Sequence, residues 1–549
     1  MPATENTQRI LISGDEAVSL AALHSGVALG AGYPGTPSTE ILETFAERGG
    51  RAQWCPNEKV ALEVAIGASF AGARAIATMK HVGLNVAADP LFTVAYTGVS
   101  GALIIISADD PGLASSQNEQ DNRRYAVAAG VPMFEPADSQ EAYDFLREAV
   151  AFSEKWKTPV LFRVTTRVCH AKTLVTPRPP DPAVPAPAYT KDIRSRVMVP
   201  AFAKPAHLRL RKTLADIAAW NNTSALNRLI PGGKSLGIIA SGIAFAHARE
   251  AAPSASFLKL GLTHPLPEQL ITDFVKSVDR AIVIEEGDPF LADAIRALGL
   301  NVESKPPMFR FGELNVNRVR RILANDTSPE PLPPPGKPPG LCEGCGHRAV
   351  FETLRDLGCV VSGDIGCYTL GVLPPFGAVD TCVCMGASIG VALGMRHVLP
   401  PEKSAKIVSV IGDSTFMHSG LTGLVEMIYN PPQNGHTVII LDNSTTAMTG
   451  HQENPGTGRN LLHDPTGRVV FENLIRGLGI NDVHIIDPRP GDPALGELIT
   501  SCLGNGRLNV IIARRPCILA AARIREYDRR NAARAAATCP CEHTPDTQP

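Results

Sequence analysis

The sequence predicts a multidomain α/β protein built on parallel sheets, and three observations carry the prediction. Continuous apolar runs such as Ala102-Leu103-Ile104-Ile105-Ile106-Ser107 alternate with helical patterns, as expected for strands buried on both faces of a parallel sheet. Two proline-rich stretches, residues 177–190 with six prolines and 328–339 with seven, read as extended linkers. The length of 549 residues, at about 150 per domain, allows three or four domains.

The elements follow in chain order. The first unit, residues 1–190, includes the strand pattern Ala75-Ile76-Ala77-Thr78-Met79. The second, residues 191–327, has strand patterns over 235–240 and 280–285, each followed by a helical pattern. After the linker 328–339, the third unit, residues 340–524, alternates strands and helices again. Residues 525–549 continue an Arg/Ala-rich helical pattern to about 537 and end in a polar tail. No short repeat occurs.

Composition narrows the function classes. Hydrophobic residues make up 44% and charged residues 19%, with a net charge of −2. That balance leaves no electrostatic footprint for nucleic acid or a membrane surface. No apolar run approaches the roughly 20 residues that cross a bilayer. The first residues show no basic region followed by an apolar stretch, so a cytoplasmic location is expected. Twelve cysteines in a chain of this length then point to metal or redox chemistry rather than a disulfide framework.

The most informative stretch is the strand pattern Ile407-Val408-Ser409-Val410-Ile411, which runs into Gly412-Asp413-Ser414. A spacer of 27 residues follows, and its last five, the second strand pattern Thr437-Val438-Ile439-Ile440-Leu441, run into Asp442-Asn443. Both polar groups stand at the carboxyl ends of strands, where open α/β sheets bind ligands. A diphosphate needs a hard cation, and Mg²⁺ takes oxygen ligands. Asp413 offers a carboxylate, Asn443 an amide oxygen and Thr445 a backbone carbonyl. Gly412 allows close approach of the phosphates, and a helix after Ser414 would aim its N-terminus at them.

This arrangement resembles the thiamine diphosphate signature, Gly-Asp-Gly, a spacer and Asn-Asn, with Ser414 in place of the third Gly and Asp442 in place of the first Asn. Asn57-Glu58-Lys59-Val60-Ala61-Leu62-Glu63-Val64-Ala65-Ile66-Gly67 resembles the segment that carries the activating glutamate of thiamine enzymes. Glu58 precedes Gly67 by nine residues, as that motif requires. The resemblance implies that Glu58 meets the aminopyrimidine ring and stabilises its imino form. Glu63 is the rival, and reads as a helix-surface charge.

Four cysteines narrow the family. Cys342-Glu343-Gly344-Cys345 opens the third unit, Cys367 lies in Gly363-Asp364-Ile365-Gly366-Cys367-Tyr368, and Cys517 follows the strand pattern Asn509-Val510-Ile511-Ile512-Ala513. Four thiolates so spaced can hold a [4Fe–4S] cluster, and the same ligands can hold zinc. Cys382 and Cys384 read as core residues flanking a strand, with a place in the ligand set as the alternative. The set resembles the cofactor-proximal cluster of 2-oxoacid:ferredoxin oxidoreductases.

Longer motifs extend the resemblance over almost the whole chain. Gly14-Asp15-Glu16-Ala17, Gly32-Tyr33-Pro34-Gly35-Thr36-Pro37-Ser38-Thr39-Glu40, Met79-Lys80-His81-Val82-Gly83-Leu84-Asn85 and Ser115-Ser116-Gln117-Asn118-Glu119-Gln120-Asp121 look like the indolepyruvate:ferredoxin oxidoreductase α-subunit family. So do Thr263-His264-Pro265-Leu266-Pro267 and Glu285-Glu286-Gly287. The resemblance implies thiamine-diphosphate-binding folds: pyrimidine-type for residues 1–190 and diphosphate-type for 340–524, with a transketolase-C-terminal-like domain between them. It implies oxidative decarboxylation of an arylpyruvate to an aryl-acetyl-CoA, with a separate β (γ-type) subunit, coenzyme A as acyl acceptor and an α₂β₂ assembly. Thr36 falls where such enzymes contact the substrate carboxylate. Lys80 and His81, polar residues in a Gly-containing loop after a strand, and Arg123, able to grip a carboxylate with two N–H groups, complete the expected substrate pocket. Gly366 and Tyr368 are expected to line the cofactor cavity.

One departure bears on the electron acceptor. The family's α subunit ends in a two-cluster domain with repeated Cys-x-x-Cys-x-x-Cys-x-x-x-Cys-Pro. Here only Cys539-Pro540-Cys541 follows Cys517. Electrons from a single cluster would pass to a partner subunit or to a soluble acceptor such as ferredoxin. Two other readings stay open at this stage. One is a non-oxidative thiamine-dependent decarboxylase, lyase or acyl-CoA-forming enzyme on the same scaffold. The other is a non-catalytic partner subunit that kept the fold.

Overall fold

The computed structural model describes residues 9–182, 186–331 and 339–537, and these fall into two compact units that divide between residues 332 and 333. In the first unit the main sheet has seven strands. Their order is Leu262–His264, Met133–Phe134, Val160–Thr165, Leu103–Asp109, Ala75–Lys80, Leu29–Gly32 and Ala52–Trp54. All pairs are parallel except Leu262–His264 with Met133–Phe134. The central strand Leu103–Asp109 is buried at every position, which explains its unbroken apolar run. A second, five-stranded sheet in this unit runs Glu303–Ser304, Ala281–Ile284, Gly233–Ser241, Ala255–Leu260 and Arg228–Ile230.

The two sheets are not independent. Strand Leu262–His264 belongs by sequence to the middle segment, yet it pairs at the edge of the seven-stranded sheet. A buried charge network reinforces the join. Arg123, 1% exposed, donates to Asp121 and, through Nη1 at 2.6 Å, to Glu285 of the middle segment. Glu285 in turn accepts the backbone N–H groups of Leu291 and Ala292 at the start of helix Phe290–Ala297. Arg163 spans Asp109 and Glu135 at 2.7 and 2.6 Å. Removing one member of such a network strands a buried charge, which costs far more than losing a surface pair. Arg123→Ala is therefore expected to destabilise the first unit by about 3–5 kcal/mol, read as a lower urea midpoint of unfolding.

The second unit holds one parallel sheet of five strands, ordered Val360–Ser362, Ile407–Gly412, His436–Asp442, Leu508–Arg514 and Asp482–Ile486. Alternate side chains feed two cores. Val408, Val410, Ile439 and Leu441 pack on helices Gly346–Asp356 and Pro493–Gly504 through Val350, Leu354, Leu495 and Ile499. Ile411, Val438 and Ile440 face helices Ala387–Val398 and Leu421–Tyr429 through Ile389, Leu393, Leu424 and Met427. Both sheet faces are thus covered, and only the strand ends are left to carry polar chemistry. Helix Ala521–Ala537 closes the described chain; Cys539 and Cys541 lie outside the described residues. Among the described residues no helix is long and apolar enough to cross a membrane.

Candidate functional site

In the second unit, Asp413 is the first residue past strand Ile407–Gly412 and is 3% exposed. Its Oδ1 accepts the Ser414 N–H at 2.7 Å, while its buried Oδ2 has no hydrogen-bond partner. Burial, and then the charge of Asp442, push its carboxyl up to about 8. An orphaned carboxylate oxygen facing a second carboxylate is the environment a divalent cation relieves. The neighbouring strand end supplies the rest. Asp442 is held by Arg514 Nε at 2.6 Å, the chain turns at Ser444 with φ +61°, and Asn443 Oδ1 accepts the Thr445 N–H at 3.1 Å. Thr446 Oγ1 donates to Ser414 Oγ at 2.9 Å and joins the two strand ends. These donors suit Mg²⁺ with a diphosphate.

The loop from Gly363 to Tyr368 covers the same end of the sheet. Thr415 Oγ1 and the Tyr368 hydroxyl both donate to the Ile365 carbonyl, at 3.0 and 2.9 Å. A Cβ on Gly412 would lie 2.6 Å from the Tyr368 ring, and one on Gly366 would lie 2.3 Å from it. Both glycines therefore make room for Tyr368. Sequence reasoning passed over two residues here. Asp364, fully buried, accepts the N–H groups of Gly386 and Ser388 and so anchors the start of helix Ala387–Val398. Asn454, buried beside Asp413, turns its side-chain amide toward that carboxylate, which favours the charged form. Asn454 comes from a loop with no periodicity, so no pattern points to it.

The four cysteines converge on this site. The Cys345 N–H donates to the Cys342 carbonyl at 3.2 Å, which closes the Cys-x-x-Cys turn at the start of helix Gly346–Asp356. The Cys517 N–H donates to the Asn443 carbonyl at 2.9 Å, which ties that cysteine to the end of strand His436–Asp442. Burial, followed by the proximity of Cys517, Cys345 and Cys342, pushes the Cys367 thiol up to about 11. Cys345 is raised by burial and by Cys342 and Cys517. Such mutual repulsion among thiolates is what a bound cation cluster offsets. Cys382 and Cys384 correct the sequence reading: both are exposed, and only a single bridge, Ser362 to Thr381, takes the place of the strand they were expected to flank.

In the first unit, Glu58 opens helix Glu58–Phe70, with Asn57 as its cap accepting the Val60 N–H at 3.0 Å. Glu58 is 4% exposed, and a Cβ on Gly83 would lie 2.6 Å from its Oε1. Glu63, by contrast, pairs with Lys59 at the surface, its side chain 45% exposed. Lys80 ends its strand, and His81 begins a short helix, His81–Val86, rather than the loop expected. Gly83 tolerates that helix because the Glu58 carboxylate fills the space a side chain would need. Lys80 Nζ donates to the Ser115 carbonyl at 2.7 Å, and burial lowers its ammonium to about 8. His81 is fully buried, its Nε2 3.2 Å from the Asn118 carbonyl oxygen. A Cβ on Gly35 would lie 3.0 Å from Lys80 Cβ, so the loop that carries the half-buried Thr36 passes Lys80 at Gly35. Thr36, Glu58, Lys80 and His81 thus gather at one end of the sheet. Arg123 does not serve as the sequence suggested. All three guanidinium nitrogens are engaged by Asp121, Glu285 and the Glu286 carbonyl, because burial demands that each find a partner.

With this geometry in view, two family profiles match. "Pyruvate flavodoxin/ferredoxin oxidoreductase, thiamine diP-bdg" covers residues 20–212, and "Thiamine pyrophosphate enzyme, C-terminal TPP binding domain" covers 364–513. The indolepyruvate oxidoreductase subunit IorA of Archaeoglobus fulgidus is 39% identical over 559 residues, spanning 95% of this chain and 88% of that protein. Its counterpart in Methanothermobacter thermautotrophicus is 37% identical, over 94% and 88%. Among solved structures, the 2-oxoglutarate:ferredoxin oxidoreductase from Magnetococcus marinus aligns with a TM-score of 0.50 over 59% of this chain and 66% of that one, at 16% identity, a likeness of fold. Near-complete alignment with these relatives, together with the two thiamine-diphosphate-binding domain profiles, makes this protein a member of the IorA family of thiamine-diphosphate-dependent 2-oxoacid oxidoreductases.

Proposed function

We propose that this chain is the cofactor-bearing subunit of an enzyme that oxidatively decarboxylates an arylpyruvate to an aryl-acetyl-CoA. In this reading it carries thiamine diphosphate, Mg²⁺ and one [4Fe–4S] cluster. The observation that carries it is the hydrogen bond from Cys517 N–H to the Asn443 carbonyl. Through it, the loop that carries a redox ligand is joined to the loop that carries a cation ligand, and this proximity is what electron transfer away from the cofactor requires. Bound thiamine diphosphate supplies the electron sink for loss of CO₂.

The protein's own groups do the rest. Asp413, the Asn443 amide oxygen and the Thr445 carbonyl hold Mg²⁺, and Gly412 and Ser414 border the phosphates. Glu58, nearly sealed from water, holds the proton exchanged with the aminopyrimidine. Thr36, Lys80 and His81 receive the substrate carboxylate. Cys342, Cys345, Cys367 and Cys517 would hold the cluster, which would supply a one-electron path out of the site. A β (γ-type) subunit in an α₂β₂ assembly completes the site and binds coenzyme A, with ferredoxin or a similar protein as acceptor. The thiolates fit a reducing, cytoplasmic setting.

The test is an anaerobic preparation with the native partner. About four irons and four sulfides per chain are expected, lost in Cys342→Ala. An active preparation without iron that releases aldehyde in the absence of an acceptor would overturn the redox assignment.

A further inference from the structure

A second group of side chains in the first unit takes no part in this chemistry. Asp15 lies in the first turn of helix Gly14–His24, Glu40 in the first turn of helix Thr39–Glu47, and His170 ends helix Thr166–His170. One ligand atom from each lies within 4.8 Å of the other two. Glu40 and His170 are exposed, so the group opens to solvent, whereas Asp15 is 1% exposed. Neither Asp15 carboxylate oxygen meets an N–H or O–H donor, and a weak thiol contact from Cys169 is what reaches it. The Ser13 hydroxyl, which could have reached into this turn, accepts the Glu16 N–H instead. The charges acting on Asp15 are Glu40 and Glu16, both negative, and the buried Cys169 thiol lies beside it. A carboxylate at this depth, between two negative charges and with only a weak thiol donor, is poorly compensated, a cost that a cation would relieve.

We propose that Asp15, Glu40 and His170 form a binding site for a divalent transition-metal ion, with Zn²⁺ the best match. The donor set decides the class. Imidazole nitrogen, carboxylate oxygen and thiolate sulfur are all zinc ligands, and three protein donors leave one position for Cys169 or water. Mg²⁺ and Ca²⁺ prefer oxygen throughout. The three donors come from separate segments, and Glu40 stands four residues beyond Thr36. The ion would therefore fasten the helix that follows the Thr36 loop to the first and last helices of this sheet region. Its role is structural, and it stands whether or not the proposed substrate is right.

The test uses the full complex with Mg²⁺, thiamine diphosphate and the cluster already loaded, so that the four-cysteine site cannot take up zinc. After equilibration with Zn²⁺ and removal of free metal, the wild type is expected to hold one zinc per chain. Its unfolding temperature should rise by several degrees with Zn²⁺, as binding to the native state alone requires. Asp15→Asn, which keeps the shape, and His170→Ala, at an exposed position, should both lose the zinc and the shift while keeping iron and thiamine diphosphate. Equal zinc content and equal thermal response in the wild type and either variant would overturn the proposal.

Discussion

Asp413→Ala is expected to leave a folded chain that no longer retains thiamine diphosphate or Mg²⁺. Asp413 supplies a buried anionic oxygen at the meeting point of two strand ends, and its Oδ2 is free of competing hydrogen bonds. Loss of a mere outer-shell partner lowers metal affinity by about 10–100-fold, so loss of the ligand itself should exceed the upper figure. Titration calorimetry with Mg²⁺ and thiamine diphosphate reads this directly. The apo protein should respond in the opposite direction. Without a cation, Asp413 is a buried carboxylate beside Asp442, and both burial and that neighbour disfavour its charge. Removing it should leave the apo unfolding temperature unchanged or higher. A variant that binds the cofactor as the wild type does would show that the diphosphate site lies elsewhere.

Glu58→Gln should separate binding from turnover. Gln keeps the volume beside Gly83, so packing and cofactor retention should persist. What is lost is a carboxylate that exchanges a proton, and such groups contribute about 10²–10⁴-fold to rate. The expected result is a fall in kcat of that order with little change in thiamine diphosphate affinity. Glu63→Gln is the matched control. Its side chain is at the surface in a pair with Lys59, and activity should stay at the wild-type level. If Glu63→Gln lost activity instead, the activating carboxylate would have been misassigned.

The polar strand ends were legible without a structure because a parallel sheet covered on both faces writes its strands as unbroken apolar runs. The first polar residue after each run must then emerge at the carboxyl end. Gly412-Asp413 and Asp442-Asn443 follow from that, and so does the Cys-x-x-Cys turn, whose two cysteines are joined by a local hydrogen bond between Cys345 and Cys342. Asn57 and Glu58 are legible for a related reason: a helix cap and its first residue are set by neighbours along the chain.

Contacts across long stretches of chain were decided by tertiary structure alone. Arg123 looked available for a substrate carboxylate, yet its guanidinium is taken by Glu285, 162 residues away. No local pattern encodes that pairing, and burial, which makes it obligatory, is not a property of an arginine's immediate sequence. Strand Leu262–His264 joins a sheet begun by the first segment, because an edge strand with open hydrogen-bonding groups accepts any segment that reaches it in register. Cys382 and Cys384, read as core, are exposed for want of a sheet to bury them. Asp15, Glu40 and His170 stand in separate segments, and only the folding of three helices against one sheet brings their ligand atoms together. The sequence by itself determined the strands and the polar residues placed at their ends. The tertiary structure decided which charges are spent on holding the fold and which remain for chemistry, since that choice depends on burial and on partners far away in the chain.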